Sequence, residues 1–348
     1  MNATRIAIPT LVRIKPEALT RMGIYLSRFN YPRVAVFQSA GLLSEISDQV
    51  RTSLSSHGIE AVAWNEIAEN DFDHAIALFR DLPRSAKAIV GLGGGKALDM
   101  AKYVAFLAKL PYFAAPTSLS NDGFGSPQSS LTIGGRRRSF AATMPFGVVV
   151  DTSVCVNAPR LLTLSGVGDL AAKFTAIHDW KLAFHNAAEN VDDFAALLSD
   201  GAVHAFMARP KLDQEGVRLL ATSLLFNGIA MEVCGSSRPA SGSEHLISHA
   251  LDEASARPRL HGLQVGVAAY LMSLLQRQNS SAIAQLFETT GFWDAIAQDP
   301  FSTAEWLDAV RRAPSVKEGF FTVLSSRDVL PEVMEAIRKD PWLIRCFK

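Results

Sequence analysis

A chain of 348 residues is too long for one small module and, at roughly 150 residues per domain, points to two domains with a sizeable buried core. Hydrophobic residues at 48% against 20% charged exclude a disordered chain. Equal numbers of basic and acidic residues, 34 of each, exclude a global field that would draw nucleic acid or an anionic membrane, so any phosphate preference has to be local. The cysteines Cys155, Cys234 and Cys346 are scattered and form no CxxC pair, which reads as a reduced, cytoplasmic protein. Met1 to Pro16 lacks an export signal, and no run of about 18 apolar residues occurs elsewhere, so secretion and membrane spanning are not expected.

From residue 33 to about 150, short apolar runs alternate with helical patterns, the signature of βα units feeding a parallel sheet. Arg33 to Phe37 reads as the first strand, and Leu42, Leu43, Ile46, Val50 and Leu54 mark one face of a helix. Glu60 to Trp64 is a strand, Phe72, Ile76 and Phe79 mark a helix, and Ala88 to Leu92 is a strand running into Gly93, Gly94 and Gly95. Tyr112 to Ala115 and Phe146 to Val150 are further strands. Between them Leu131 to Phe140, with Gly134 and Gly135 at its centre, reads as an antiparallel hairpin. Beyond residue 160 only helical periodicity remains, as in Ala187 to Phe206 and Gly262 to Gln278. The domain boundary is expected near residues 155–162, where Pro159 interrupts the pattern.

The segment from Gly91 to Asp99 joins a buried strand to a helix. Glycines let the backbone approach a pyrophosphate, which the amides and partial positive charge of a helix N-terminus hold. The GxGxxG fingerprint fails at Lys96 and a Walker A loop fails at Ala97, and a tight turn without a ligand is the competing reading. Pro116 to Pro127 follows the next strand. There Thr117, Ser118, Ser120 and Ser126 offer donors to a cofactor and Asp122 a carboxylate to a substrate, although the same residue types fill ordinary turns. The end of the first strand, Phe37-Gln38-Ser39, lacks the acidic residue that holds a ribose 2′-hydroxyl, and Gln38 leaves NADP open.

In the helical half, Gly166 to Lys173 is expected to start a helix, with Asp169 either its cap or a metal ligand. His245 and His249, four apart, share a helix face, and His261 follows a short way on. A carboxylate with two imidazoles makes a three-ligand divalent site with an open position; zinc is the default, and iron(II) or nickel accepts the same donors. His57, His74, His178, His185 and His204 read as surface or satisfied residues. Arg136, Arg137 and Arg138 form the one compact basic run, either a solvated hairpin or a partial phosphate site. Trp293, Trp306 and Trp342 read as packing.

Taken together, GLGGGKALDMAK, APTSLSNDGFGSP, GVGDLAAKFTAIHDW, SGSEHLISHALD and LHGLQVG, in this order and after the opening IPTLVRIKPEAL, resemble the glycerol-1-phosphate dehydrogenases. That family lies in the superfamily of iron-containing alcohol dehydrogenases, polyol dehydrogenases and dehydroquinate synthases. The resemblance implies a dehydroquinate synthase-like fold: an α/β NAD(P)-binding N-terminal domain (1–158), an all-α metal- and substrate-binding C-terminal domain (159–348), and an active site in the cleft between them. It implies that Gly94, Gly95, Lys96, Ala97 and Asp99, with Thr117, Ser118, Leu119, Ser120 and Ser126, hold NAD or NADP, and that Asp169, His245 and His261 bind one divalent metal. It further implies that Asp122, Asp169 and His249 touch the substrate, with Asp122 and His249 catalytic. His249 would protonate the alkoxide or else only position the site.

The expected activity is metal-dependent hydride transfer between NAD(P)H and dihydroxyacetone phosphate, giving sn-glycerol 1-phosphate. The alternatives are a related polyol or alcohol dehydrogenase of a biosynthetic pathway, a dehydroquinate synthase-like sugar-phosphate cyclase, and a non-catalytic metal-containing relative. The partners implied are a small phosphorylated ketone or polyol and further copies of the chain, with no nucleic acid and no membrane.

Overall fold

The computed structural model describes residues 6–348, so the first five residues of the N-terminal stretch considered for an export signal lie outside it. The chain divides into two compact units that meet in sequence at Pro159 and Arg160.

The first unit runs β1 (Leu11–Lys15), α1 (Met22–Arg28), β2 (Arg33–Ser39), α2 (Ser44–Ser55), β3 (Glu60–Ile67), α3 (Phe72–Arg80), β4 (Ala88–Gly93), α4 (Gly95–Ala108), β5 (Tyr112–Pro116), β6 (Gln128–Ile133), β7 (Arg136–Ala141), β8 (Gly147–Asp151) and α5 (Thr152–Val156). Six strands form a parallel sheet in the order β1-β8-β5-β4-β2-β3, while β6 and β7 pair antiparallel as a separate hairpin. Alternate side chains of the central strands feed two apolar layers, as a sheet covered on both faces requires. Val34, Val36, Val90 and Leu92 pack with Met22 and Leu26 of α1 and Val50 and Leu54 of α2. Ala35, Phe37 and Ile89 pack with Ala97, Met100, Ala101 and Val104 of α4. Arg33–Ser39 is not the first strand: Leu11–Lys15 precedes it and pairs with β8 from Leu11↔Gly147 to Lys15↔Asp151, a long-range pairing that five residues do not announce on their own.

The chain winds outward from β2 to β3, returns to β4 and then moves to β5 on the other side. The switch in direction therefore falls between β2 and β4, the place where open α/β sheets bind ligands at the carboxyl ends of their strands.

The second unit is helical: α6 (Arg160–Ala187), α7 (Asp193–Met207), α8 (Gln214–Cys234), α9 (Ser243–Ala254), α10 (His261–Gln276), α11 (Ser280–Thr290), α12 (Phe292–Gln298), α13 (Thr303–Arg312), α14 (Val323–Ser326), α15 (Leu330–Lys339) and α16 (Leu343–Cys346). The hub is α6, 28 residues long and buried on most sides, with α10 packed along it. Two sequence expectations are corrected here. The segment Gly166 to Lys173 does not start a helix but lies within α6, where Gly168 serves a helix crossing described below. Ala187 to Phe206 is not continuous, since Ala188 adopts a positive φ of 52° and α7 restarts at Asp193, with the Asp192 carboxylate accepting from the Ala195 amide. Helix α8 is long and apolar enough to cross a bilayer, but Val217, Leu220, Leu224 and Leu225 are buried within the unit, as in a core helix. Trp293 and Trp306 are buried, and Trp342 stacks on Trp293 at 5.4 Å.

Candidate active site

In the first unit the glycine loop is built by close approach. Gly93 ends β4 at φ +132°, and a Cβ there would stand 2.2 Å from Ser39 Oγ at the end of β2, so only glycine fits. Ser39 Oγ accepts the Gly94 amide at 2.9 Å, and the Thr117 amide donates to Gly93 O at 3.0 Å. The loops after β4 and β5 are thereby joined at the switch point. No side chain caps the 14-residue α4, which leaves its N-terminal partial charge for an anion. Gly95, Asp99, Ser118 and Ser120 line one small crevice there. Lys96 is exposed and its ammonium lies 2.8 Å from Glu69. Leu119 and Ser126 are buried, and Ser126 Oγ sits 3.3 Å from the carbonyls of Gly123 and Gln128, bracing its own turn.

Gln38 is not available to a cofactor. It is buried; its Oε1 accepts from Trp64 Nε1 at 2.7 Å and Ser47 Oγ at 2.9 Å, and its Nε2 donates to Glu66. Of the strand end Phe37-Gln38-Ser39, the side chain that stands beside the glycines is Ser39.

Sequence reasoning missed Lys102. Wholly buried in α4, its ammonium donates to Gly123 O and Gln128 O, both at 2.6 Å, and lies 3.7 Å from Asp99. It holds the turn Asp122–Gly125 against α4. Burial pushes the Asp99 carboxyl up, against the pull of Lys102 and Arg137. Burial also pulls Lys102 down, against Asp99 and Asp122. Arg136, Arg137 and Arg138 are exposed on β7, with Arg137 Nε donating to Ser130 Oγ across the hairpin.

In the second unit three expected ligands converge. One ligand atom from each of Asp169, His245 and His261 lies within 4.8 Å of the other two. Asp169 Oδ1 is 3.4 Å from His245 Nε2 and 3.9 Å from His261 Nε2. Both imidazoles present Nε2 to the carboxylate because each Nδ1 is held elsewhere, His245 by Glu244 Oε1 at 2.9 Å and His261 by Ser248 Oγ at 3.1 Å. Such outer partners fix ring orientation and tautomer at metal sites, and the donor set fits a divalent ion with an open position. Burial pushes the Asp169 carboxyl up, but Lys173 at 3.5 Å and the two histidines outweigh it and hold it well below the usual carboxylate range. Burial pulls His245 down, and the hydrogen bonds to Asp169 and Glu244 outweigh this, so its pKa is raised.

His249, one turn beyond His245 on α9, joins the cluster: its ring stacks on His261 at 5.9 Å and lies 6.5 Å from His245. Asp169 reaches its place from mid-helix. Gly168, Gly262 and Gly266 let α6 and α10 cross closely, a Cβ on Gly168 falling 2.0 Å from Gly262 O and one on Gly266 2.8 Å from the Gly168 Cα. Asp122 belongs to the first unit and His249 to the second.

Residues 13–159 match the family model described as iron-containing alcohol dehydrogenase. A glycerol-1-phosphate dehydrogenase [NAD(P)+] from Aeropyrum pernix is 32% identical over 98% of both chains. Another, from Methanothermobacter thermautotrophicus, is 30% identical over 97% of this chain and 99% of its own. The solved glycerol dehydrogenase from Schizosaccharomyces pombe shares the fold at a TM-score of 0.74 and 18% identity, covering 99% of this chain and 91% of its own.

Proposed function

The chain belongs to the glycerol-1-phosphate dehydrogenase family of iron-containing-type alcohol dehydrogenases, and on that premise we propose that it transfers a hydride between NAD(P)H and dihydroxyacetone phosphate to give sn-glycerol 1-phosphate. The observation that carries this reading is the convergence of Asp169, His245 and His261, three oriented donors that suit one divalent ion, zinc by default. When bound, the metal supplies Lewis acidity to the ketone oxygen and the nicotinamide supplies the hydride.

The chain's own residues do the rest. Gly93 to Gly95 and the uncapped start of α4 hold the pyrophosphate of the dinucleotide, and Ser118, Ser120 and Asp99 shape the crevice beside it. Lys173, buried 3.5 Å from Asp169, keeps that carboxylate ionised. His249, one turn beyond His245 on α9 and stacked on His261 of α10, supplies the proton that the nascent alkoxide takes up. Asp122, on the turn braced by Lys102, orients the substrate hydroxyl. With serine rather than a carboxylate ending β2, that position itself carries no charge against a 2′-phosphate, and both NADH and NADPH are accepted.

The test is oxidation of NADH and of NADPH with dihydroxyacetone phosphate after loading the protein with zinc, nickel or iron(II), with the configuration of the product determined. Absence of turnover with every combination removes the assignment, and a product of the opposite configuration removes its stereochemical half.

A further inference from the structure

Among the described residues, Glu244 is the one acidic side chain wholly buried beside a metal-site histidine that no ligand role absorbs. Its Oε1 faces His245 Nδ1 at 2.9 Å and accepts the Gly242 amide at 2.5 Å, while Thr175 Oγ1 lies 2.7 Å from Oε2. The space around it is closed: a Cβ on Gly242 would come within 2.9 Å of Glu244 Oε2 and 2.7 Å of Asp179 Oδ2. The carboxylate is thus clamped from three sides, with the imidazole as one of them. The second imidazole is held differently. His261 Nδ1 meets a hydroxyl, Ser248 Oγ, which in turn accepts from Gln264 Nε2 at 3.0 Å.

We propose that Glu244 is the positioning residue of the metal site: its carboxylate holds the proton of His245 on Nδ1, turns the Nε2 lone pair to the point where it and Asp169 would share the ion, and strengthens it as a donor. Ser248 only orients His261. A carboxylate behind an imidazole fixes the tautomer, polarises the ring through a charge-assisted hydrogen bond and raises its basicity at the other nitrogen, whereas a hydroxyl, which can donate or accept, orients the ring without that electronic push. The asymmetry makes Glu244 a main determinant of how tightly the ion is held, although it touches neither metal nor substrate. This inference rests on the metal reading of Asp169, His245 and His261 given above.

The test uses the purified, metal-free full-length protein titrated with zinc alone against a chromophoric chelator, with no substrate or cofactor present, and with the thermal midpoint of each metal-free variant measured alongside. Glu244→Gln is expected to weaken zinc binding about 10- to 100-fold, and Ser248→Ala to weaken it less than Glu244→Gln does. Equal affinities for wild type and Glu244→Gln overturn the proposal, as does a larger loss in Ser248→Ala. If Glu244→Gln does not fold, Glu244→Asp decides in its place, since it keeps the charge but withdraws it from Nδ1 by one methylene; wild-type affinity in that variant overturns the proposal. Failure of the wild type itself to bind zinc overturns the metal reading and this inference together, whereas normal zinc binding without turnover of dihydroxyacetone phosphate removes only the proposed substrate.

Discussion

Gly168 and Gly262 cross so closely that a Cβ on Gly168 would stand 2.0 Å from the carbonyl oxygen of Gly262. The next residue after Gly168 is Asp169, and the residue before Gly262 is His261, two of the three proposed ligands. One helix crossing therefore sets the separation of a carboxylate and an imidazole. Gly168→Ala is expected to cost about 3 kcal/mol or more, because backbone rather than a flexible side chain blocks the methyl, and to weaken metal binding by pushing the two ligands apart. Chemical denaturation of the metal-free protein and zinc titration check the two halves separately.

His249→Asn keeps a polar side chain beside His261 but removes the titratable proton. The turnover number is expected to fall by about 10²- to 10⁴-fold while zinc stoichiometry stays at one. A residue that only held His261 in place would lose metal along with activity.

Asp179 is wholly buried, accepting from the Ser243 and Val323 amides, and burial together with the neighbouring Glu244 pushes its carboxyl up to about 6. The unfolded chain gives up this proton at the ordinary carboxylate range near 4, the folded one only near 6. Stability from this group is therefore full below about pH 4 and is lost as pH rises to about 6, by up to about 3 kcal/mol. Other carboxylates pull the opposite way, so the informative quantity is wild type minus Asp179→Asn. That difference in metal-free unfolding free energy should fall across the same window.

Lys102→Met removes an ammonium that holds two carbonyls and faces Asp99 in the interior. Breaking a buried pair on one side leaves the other charge without its partner, so a loss of about 3 kcal/mol is expected. The turn Asp122–Gly125 loses its brace, and KM for the nicotinamide cofactor should rise at least about tenfold. Steady-state kinetics with varied cofactor and urea unfolding measure these effects.

Ser39 and Gln38 make opposite predictions. A carboxylate in Ser39→Asp meets the ribose end of the cofactor and should shift the NADH to NADPH ratio of kcat/KM at least about tenfold toward NADH. Gln38→Leu should change stability more than this ratio, because Gln38 is spent on Trp64, Ser47 and Glu66.

The parts of the fold legible in the sequence were those whose pattern is local. Apolar runs from Arg33 onward placed the βα units, and Gly134-Gly135 placed the hairpin turn, because strand alternation and turn chemistry are properties of neighbouring residues. The ligand set was legible only as an ordered group of motifs, since spacing along the chain says nothing about Asp169 meeting His245 and His261 across three helices. What escaped depends on distant partners. Leu11–Lys15 becomes a strand through β8, and Gln38 is withdrawn from the surface by Trp64 and Glu66 of β3. Gly166 to Lys173 reads as a helix start, yet Gly168 lies inside a helix, where the approach of α10 requires it. Glu244 and Lys102 carry no signal beyond their charge, and burial gave each its role.

Asp169 rides about a third of the way along a helix about 42 Å long, more than two turns from either end, and its partner rings are tethered by hydrogen bonds to the chain itself. The folded protein therefore carries its donors already assembled, and the ion can leave and return without the chain unravelling. Metal exchange then becomes a reversible equilibrium linked to folding, worth about 2.7 kcal/mol at a free metal concentration one hundred times Kd. The trace-metal content of a buffer would thus set how much heat the enzyme withstands.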